Sequence, residues 1–247
     1  MKAVTDRVAL ITGGARGIGR GIALDLGAQG WSVAMTYRTS EQAAKDTATA
    51  IEQDGGKAWA FRCDVSDPAA SRTMVEQVER TWGRIDALIH CAGPYHRINL
   101  TEETPEGWAS MFDNNLHPVF HLTQAVTPGM KARQHGRIIT FSMANADRMI
   151  AQPDVTAHYI AKAGILILTR TWAKILAPFE ITANAVSPGF IDSGSAPTEE
   201  LAGMAKRIPA GYVGDVGDPV AAVRFLLSDD ARYVTGTNIH VSGGWGV

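Results

Sequence analysis

Seven short, nearly continuous apolar runs punctuate this chain, separated by longer amphipathic stretches. The runs are RVALITG (7–13), SVAMTY (32–37), KAWAFRCDV (57–65), DALIHCAG (86–93), GRIITFSM (136–143), ITANAVSPG (181–189) and NIHVSGG (238–244). A strand with one wet face alternates apolar and polar residues, whereas a strand covered on both faces is apolar throughout. These runs are of the second kind, which is the habit of parallel strands. The stretches 19–30, 41–54, 69–82, 107–133 and 157–176 carry the apolar spacing of helices. Strand and helix in strict alternation predict an α/β fold: a doubly wound parallel seven-stranded sheet with helices on both faces.

No linker, repeat, charge block or low-complexity tract divides the 247 residues, so residues 1–247 are expected to form one domain. Hydrophobic residues make up 45% and charged residues 19%, enough to build a sizeable core. A net charge of −2 offers no footprint for nucleic acid or an anionic membrane. No apolar run approaches the roughly 18–20 residues of a membrane span. Strand-like sequence begins almost at the N-terminus, leaving no room for a signal peptide. Cys63 and Cys91 are too few for a disulfide framework, and no Cys/His cluster has metal-ligand spacing. The expectation is a cytoplasmic protein without a metal, acting on a small-molecule substrate.

The first strand runs into a glycine-rich turn, VALITGGARGIG, that opens a helix. Gly13, Gly17 and Gly19, with Ile18 between the last two, let the backbone turn tightly and approach a pyrophosphate at the positive end of that helix. The pattern TGxxxGxG (12–19), the turn CDVSD (63–67), PGFI (188–191) and YVTGTNIHVSGG (233–244) resemble the short-chain dehydrogenase/reductase family over essentially the whole chain. Among its members, the 3-oxoacyl-acyl-carrier-protein reductases look most alike. The resemblance implies a Rossmann-type fold, a nicotinamide cofactor, and a homotetramer or homodimer. It places Asp64 and Val65 at the adenine, Ala92 and Gly93 along the cofactor, and Pro188, Gly189 and Ile191 near the nicotinamide. The family's Asn-Asn-Ala-Gly is here His90-Cys91-Ala92-Gly93.

Cofactor choice follows from charge. A site for NAD carries a carboxylate at the end of the second strand, and a site for NADP carries cations. MTYRTS supplies Tyr37, Arg38, Thr39 and Ser40, with no acid before Glu41, and Arg16 adds a second guanidinium. NADP(H) is the expected cofactor.

The chemical end departs from the family. Members of the family carry a Tyr and a Lys four apart on one helix, a serine on the preceding strand and an asparagine in an earlier helix. Lys162, followed by AG, matches the lysine and Asn115 matches the asparagine. The lysine is expected to anchor the cofactor's ribose. Met143 falls on the serine position. Ser142 precedes it but faces the opposite side of a strand, so it enters the site only through a bulge or shifted register. The loop that follows is two residues longer than usual, and Asn145 or Asp147 is a candidate to enter the pocket; pteridine reductases of the family use an aspartate near this point.

In TAHYIAKAGI, the tyrosine position is His158, and Tyr159 lies about 100° further round the helix. Either His158 faces the site, which we favour, or a distorted first turn brings in Tyr159. A free imidazole titrates near 6.5, and Lys162 would push His158 lower. Reduction of a simple ketone is then less natural than reduction of a C=N or activated C=C bond. Tyr95, Arg97 and Phe190 are further substrate candidates, the first for stacking and the second for an acidic group. Segment 192–212 reads as a substrate lid. Three readings stand: an NADPH-dependent reductase with a non-standard proton donor; a ketone/alcohol oxidoreductase of the oxoacyl-reductase kind using Tyr159; and a cofactor-binding protein without redox turnover.

Overall fold

The computed structural model describes residues 7–194 and 198–247. Its elements are β1 (Val8–Thr12), α1 (Gly17–Ala28), β2 (Ser32–Tyr37), α2 (Glu41–Gln53), β3 (Lys57–Arg62), α3 (Pro68–Trp82), β4 (Ala87–His90), α4 (Pro105–Asn115), α5 (His117–Arg133), β5 (Gly136–Phe141), α6 (Thr156–Leu176), β6 (Ile181–Pro188), β7 (Ile191–Asp192), α7 (Thr198–Ala205), β8 (Gly214–Asp215), α8 (Gly217–Leu227) and β9 (Asn238–Val241). Seven strands form one parallel sheet in the order β3-β2-β1-β4-β5-β6-β9. This is the Rossmann-type doubly wound arrangement expected from the alternation of runs. Each apolar run holds one strand, and the ends of the longer runs become the turns above the sheet.

Two cores cover the two faces. Ile22, Leu26, Ile51, Val223 and Leu226 of α1, α2 and α8 pack with Ile11 and Ile89 on one side. Met74, Val78, Leu122, Val126 and Leu176 of α3, α5 and α6 pack with Leu10, Leu88 and Ile138 on the other. Each such side chain, fully withdrawn from water, contributes on the order of 2 kcal/mol. Strand order reverses between β1 and β4, and the crevice above their carboxyl ends is where such sheets hold ligands.

Local chemistry sets several boundaries. Asp67 caps α3 by accepting from the amides of Ala69 and Ala70 at 2.8 and 3.3 Å, Pro68 opens the helix, and Gly83 ends it at φ 77°. The single helix expected over 107–133 is two helices, α4 and α5, parted at Leu116. Pro118 causes the break, because it has no amide hydrogen for the carbonyl four residues back.

Within 192–212, α7 lies between β7 and β8, whose pairing of Ile191 with Gly214 and Asp192 with Asp215 closes the base of the excursion. Residues 195–197 of that segment lie outside the described residues. Its far foot is seated on the C-terminal turn, where Ala210 N donates to Gly243 O at 2.9 Å.

Candidate active site

The crevice holds two adjoining hollows of about 310 and 320 Å3 that share Gly13, Arg16 and Cys91. The first is lined further by Tyr37, Arg38, Ser40, Asp64, Val65, Ala92, Gly93 and Asn114. The second is lined by Gly17, Ile18, Gly19, Pro188, Gly189 and Ile191. All the cofactor residues expected from sequence except Lys162 therefore line one continuous cleft. Gly13 has φ 69°, and a Cβ there would stand 3.0 Å from the Ala92 backbone, so only glycine lets β1 and β4 close beneath the cleft. No side chain caps the start of α1, which leaves its first amides to an anion. These features fit the pyrophosphate of a dinucleotide. At the outer end, Arg38 Nη1 donates to Asn114 Oδ1 at 3.0 Å. The Ser66 hydroxyl and amide, and at longer range Arg38, hold Asp64 below the ordinary carboxylate range against its partial desolvation.

At the inner end Lys162 is buried and donates from Nζ to Phe141 O at 3.0 Å. Burial lowers its pKa to about 8, with Cys91 opposing the shift. Gly93 joins the cleft to this lysine: a Cβ there would strike Asn115 Oδ1 and lie 3.5 Å from Nζ. Asn115 is held by donation from Nδ2 to Met111 O at 3.0 Å and Pro94 O at 3.1 Å, and its Oδ1 is buried without a partner.

His158 and Tyr159 part company at the start of α6. The His158 ring meets Tyr95 edge to face at 5.1 Å, and its Nδ1 is buried and unpartnered. Burial first, and then Lys162, lower its pKa to about 4, while a backbone interaction with Pro94 opposes them. His158 thus stands neutral beside Tyr95 and Pro94, of which only Pro94 lines the cleft. The Tyr159 hydroxyl is engaged elsewhere. It donates to Asn145 O at 2.7 Å and accepts from Ile150 N at 3.2 Å. Both partners belong to the lengthened loop after β5, in which Asn145 and Met149 have φ 67° and 53°.

Several expected site residues are placed differently. Ser142 is turned onto α6, its Oγ donating to Lys162 O at 2.8 Å, as strand alternation requires when no bulge intervenes. Asp147 points to the edge of the sheet: its Oδ2 accepts from His240 Nε2 at 2.9 Å and from Asn238 Nδ2 at 3.3 Å. Partial burial would raise this carboxyl, but the His240 bond and charge hold it below the ordinary range. Arg97 is spent on Asp154 at 3.2 Å, with Asn99 on the other carboxylate oxygen. Met143 packs beside Ala146, Leu166 and Ala185. Phe190 packs on Trp245 with ring centroids 4.7 Å apart. None of Tyr95, Arg97, Met143, Asn145, Asp147 and Phe190 lines either hollow. Asn145 keeps a buried, unpartnered Oδ1.

His90, where the family has asparagine, is buried against Thr123 at 3.2 Å, and burial lowers its pKa to about 3. Sequence reasoning did not single out Asn114 or the cleft residues Thr36 and Pro94. The one signal for Asn114 was its place beside Asn115 at the end of α4.

The sequence matches the family described as enoyl-(acyl carrier protein) reductase over residues 13–246. It is 36% identical to the 3-oxoacyl-(acyl-carrier-protein) reductase FabG of Staphylococcus aureus, the match covering 96% of each chain. The reductase of the same name from Haemophilus influenzae is 37% identical over 96% of this chain and 97% of its own. Among solved structures, a blue fluorescent protein from a metagenomic library, in complex with NADPH, superposes with a TM-score of 0.90 at 33% identity over 98% of both chains. Acetoin dehydrogenase YohF of Salmonella typhimurium follows at 0.88 and 27%, over 97% of this chain and 95% of its own. A glycine turn beneath an open helix start, a buried lysine on α6 and likeness along nearly the whole chain agree: this protein belongs to the short-chain dehydrogenase/reductase family of oxidoreductases, among members similar to the 3-oxoacyl-(acyl-carrier-protein) reductases.

Proposed function

We propose that this NADP-dependent oxidoreductase transfers hydride from NADPH to a small or medium polar substrate carrying a C=N or activated C=C bond, with His158 in the place of the family's tyrosine. The observation that carries the reading is the pair of hydrogen bonds holding the Tyr159 hydroxyl to Asn145 O and Ile150 N, with His158 left beside Pro94 and Tyr95.

The cofactor, when bound, supplies the hydride. Arg38 and Arg16 at the rim suit a 2′-phosphate, and the blue fluorescent protein of the same fold, 33% identical in sequence, is in complex with NADPH. Lys162, with a pKa of about 8, stays cationic at neutral pH and anchors the ribose. His158 is neutral there and lacks the imidazolium proton that an alkoxide would need. We assign its ring proton to Nε2, toward Pro94, which leaves Nδ1 as an acceptor for a protonated imine's N–H. Such a substrate brings its own positive charge to meet the hydride and needs no proton from the protein, whereas an activated C=C takes the hydride at its β carbon and the resulting enolate takes its proton from water. Asn145, whose Oδ1 has no partner, and the Phe190–Trp245 pair are assigned to the substrate wall.

The chain is read as one domain, with 192–212 acting as a lid hinged at the β7–β8 pairing. Exposed Phe120, Ile160, Ile167 and Ile175 on α5 and α6 supply an apolar face for a homodimer or homotetramer.

The oxoacyl-reductase reading is favoured by identities of 36–37% to reductases of that name, and requires Tyr159 to leave its two loop partners. A panel of ketones, cyclic imines and enones, scored by NADPH consumption, separates the two. Imine or enone turnover that exceeds ketone turnover and falls about 10-fold or more in His158→Ala, but by less than about threefold in Tyr159→Phe, supports the proposal. Preference for ketones with loss of turnover in Tyr159→Phe establishes the alternative. Tight NADPH binding with no acceptor consumed would leave a cofactor-binding protein without redox turnover.

A further inference from the structure

The last turn of α4 stands between the two ends of the cleft, and its two consecutive asparagines serve different ends. A helix turns about 100° per residue, so neighbours face apart. Asn115 is directed to Pro94 and the lysine. Asn114 lines the outer hollow together with Arg38, Thr39, Ser40 and Asp64. Its own carboxamide is fixed from behind, Nδ2 donating to Ser110 O at 2.9 Å and to Ser110 Oγ at 3.3 Å. That orientation leaves Oδ1 facing Arg38 Nη1, which it receives at 3.0 Å across 76 residues of sequence.

From this we infer that Asn114 is a positioning residue that holds the Arg38 guanidinium at the mouth of the cleft, and so sets the preference of this protein for a cofactor carrying a 2′-phosphate. The inference rests on the NADP(H) reading given above and extends it to a residue outside the glycine turn and the second strand. An arginine on an exposed loop loses several rotamers when it takes hold of a phosphate. One N–H of Arg38 given to a neutral oxygen leaves its remaining donors for the phosphate, and the ordering is complete before the cofactor arrives. A carboxylate at the same place would instead neutralise the guanidinium and repel the phosphate. The asparagine is therefore the suitable holder.

The test is calorimetric titration of the intact protein with NADPH, NADH and adenosine 2′,5′-bisphosphate. Asn114→Ala should weaken NADPH and the bisphosphate by about 3- to 10-fold and leave NADH unchanged. Asn114→Asp should weaken the two phosphate-bearing ligands further, by more than about tenfold. In an Arg38→Ala background, Asn114→Ala should add nothing, because its effect passes through the arginine. Should Asn114→Ala fail to fold, Asn114→Ser, which also lacks the reach to Arg38, takes its place. If Asn114→Ala weakens NADH and NADPH equally, or neither, while Arg38→Ala selectively weakens NADPH, the inference is overturned and the cofactor reading stands. If Arg38→Ala also leaves the ratio of the two affinities unchanged, the cofactor reading falls with it.

Discussion

The outer and inner ends of the cleft lie on the same sheet and obey different rules. At the outer end the backbone makes the cradle, with Gly13 closing β1 against β4 and α1 beginning without a capping side chain, and one side-chain pair, Asn114 and Arg38, is added to it. At the inner end side chains make the proposed site, and several of those expected from sequence have partners elsewhere. Ser142 serves α6, Tyr159 holds a lengthened loop, Asp147 reaches the edge strand, and His158 is left facing Tyr95. A backbone cradle tolerates little change, because a Cβ at one glycine closes it. A constellation of side chains can be rewired by one step along a helix, with the fold intact.

The largest effect that sharpens this contrast belongs to the outer end. Arg38→Asp should raise the dissociation constant for NADPH by about 30- to 100-fold and that for NADH by much less, read by calorimetry. Equal losses for both cofactors would mean that the outer end does not read the 2′-phosphate.

Next in size is a pH effect from the inner end. Lys162 has its pKa lowered from 10.5 to about 8, so in the free protein it is cationic below about 8 and loses its charge above. NADPH affinity should fall about tenfold as pH rises from 7.5 to 9.5. Any step at about 6 should come from the second ionisation of the 2′-phosphate and persist in His158→Asn, because His158, with its pKa at about 4, is already neutral there. A step near 6.5 that His158→Asn removes would show an imidazole in water rather than one buried beside a lysine. The same burial has a stability consequence of opposite direction in pH. Between about 4 and 6.5 the folded state binds fewer protons at His158 than the unfolded chain does, so stability rises with pH through that window and is lost as pH falls. The contribution is on the order of 3 kcal/mol, and chemical denaturation of wild type and His158→Asn at pH 4.5 and 7 measures it.

The smallest effect is expected at the displaced aspartate. Asp147→Asn should change KM by no more than about threefold and lower stability by about 1 kcal/mol, since its carboxylate holds His240 and Asn238 at a half-exposed edge. A loss of kcat by about 100-fold would return Asp147 to the substrate pocket.

Much of this was legible beforehand, for physical reasons. Doubly covered strands announce themselves as unbroken apolar runs, and a pyrophosphate turn needs glycine at fixed spacing, so fold and outer cleft followed from periodicity and Gly13, Gly17 and Gly19. The Leu116 break was also written in the sequence, as Pro118, but the apolar period continues across it. Side-chain destinations were not legible. Tyr159 and Asp147 are settled by where a loop of unusual length folds, and nothing local in ANADRMIAQPDV says that Asn145 and Met149 adopt left-handed backbone. Asn114 showed in the sequence only as the neighbour of Asn115, because its partner, Arg38, is 76 residues away.

The central claim is that an imidazole, and not a phenol, stands at the hydride-accepting place. A crystal structure of the protein with NADPH tests it directly. The account predicts the His158 ring against the nicotinamide face, Lys162 on its ribose, and the Tyr159 hydroxyl still bonded to Asn145 O. A Tyr159 hydroxyl released from the loop and turned to the nicotinamide, with His158 swung away, would contradict it.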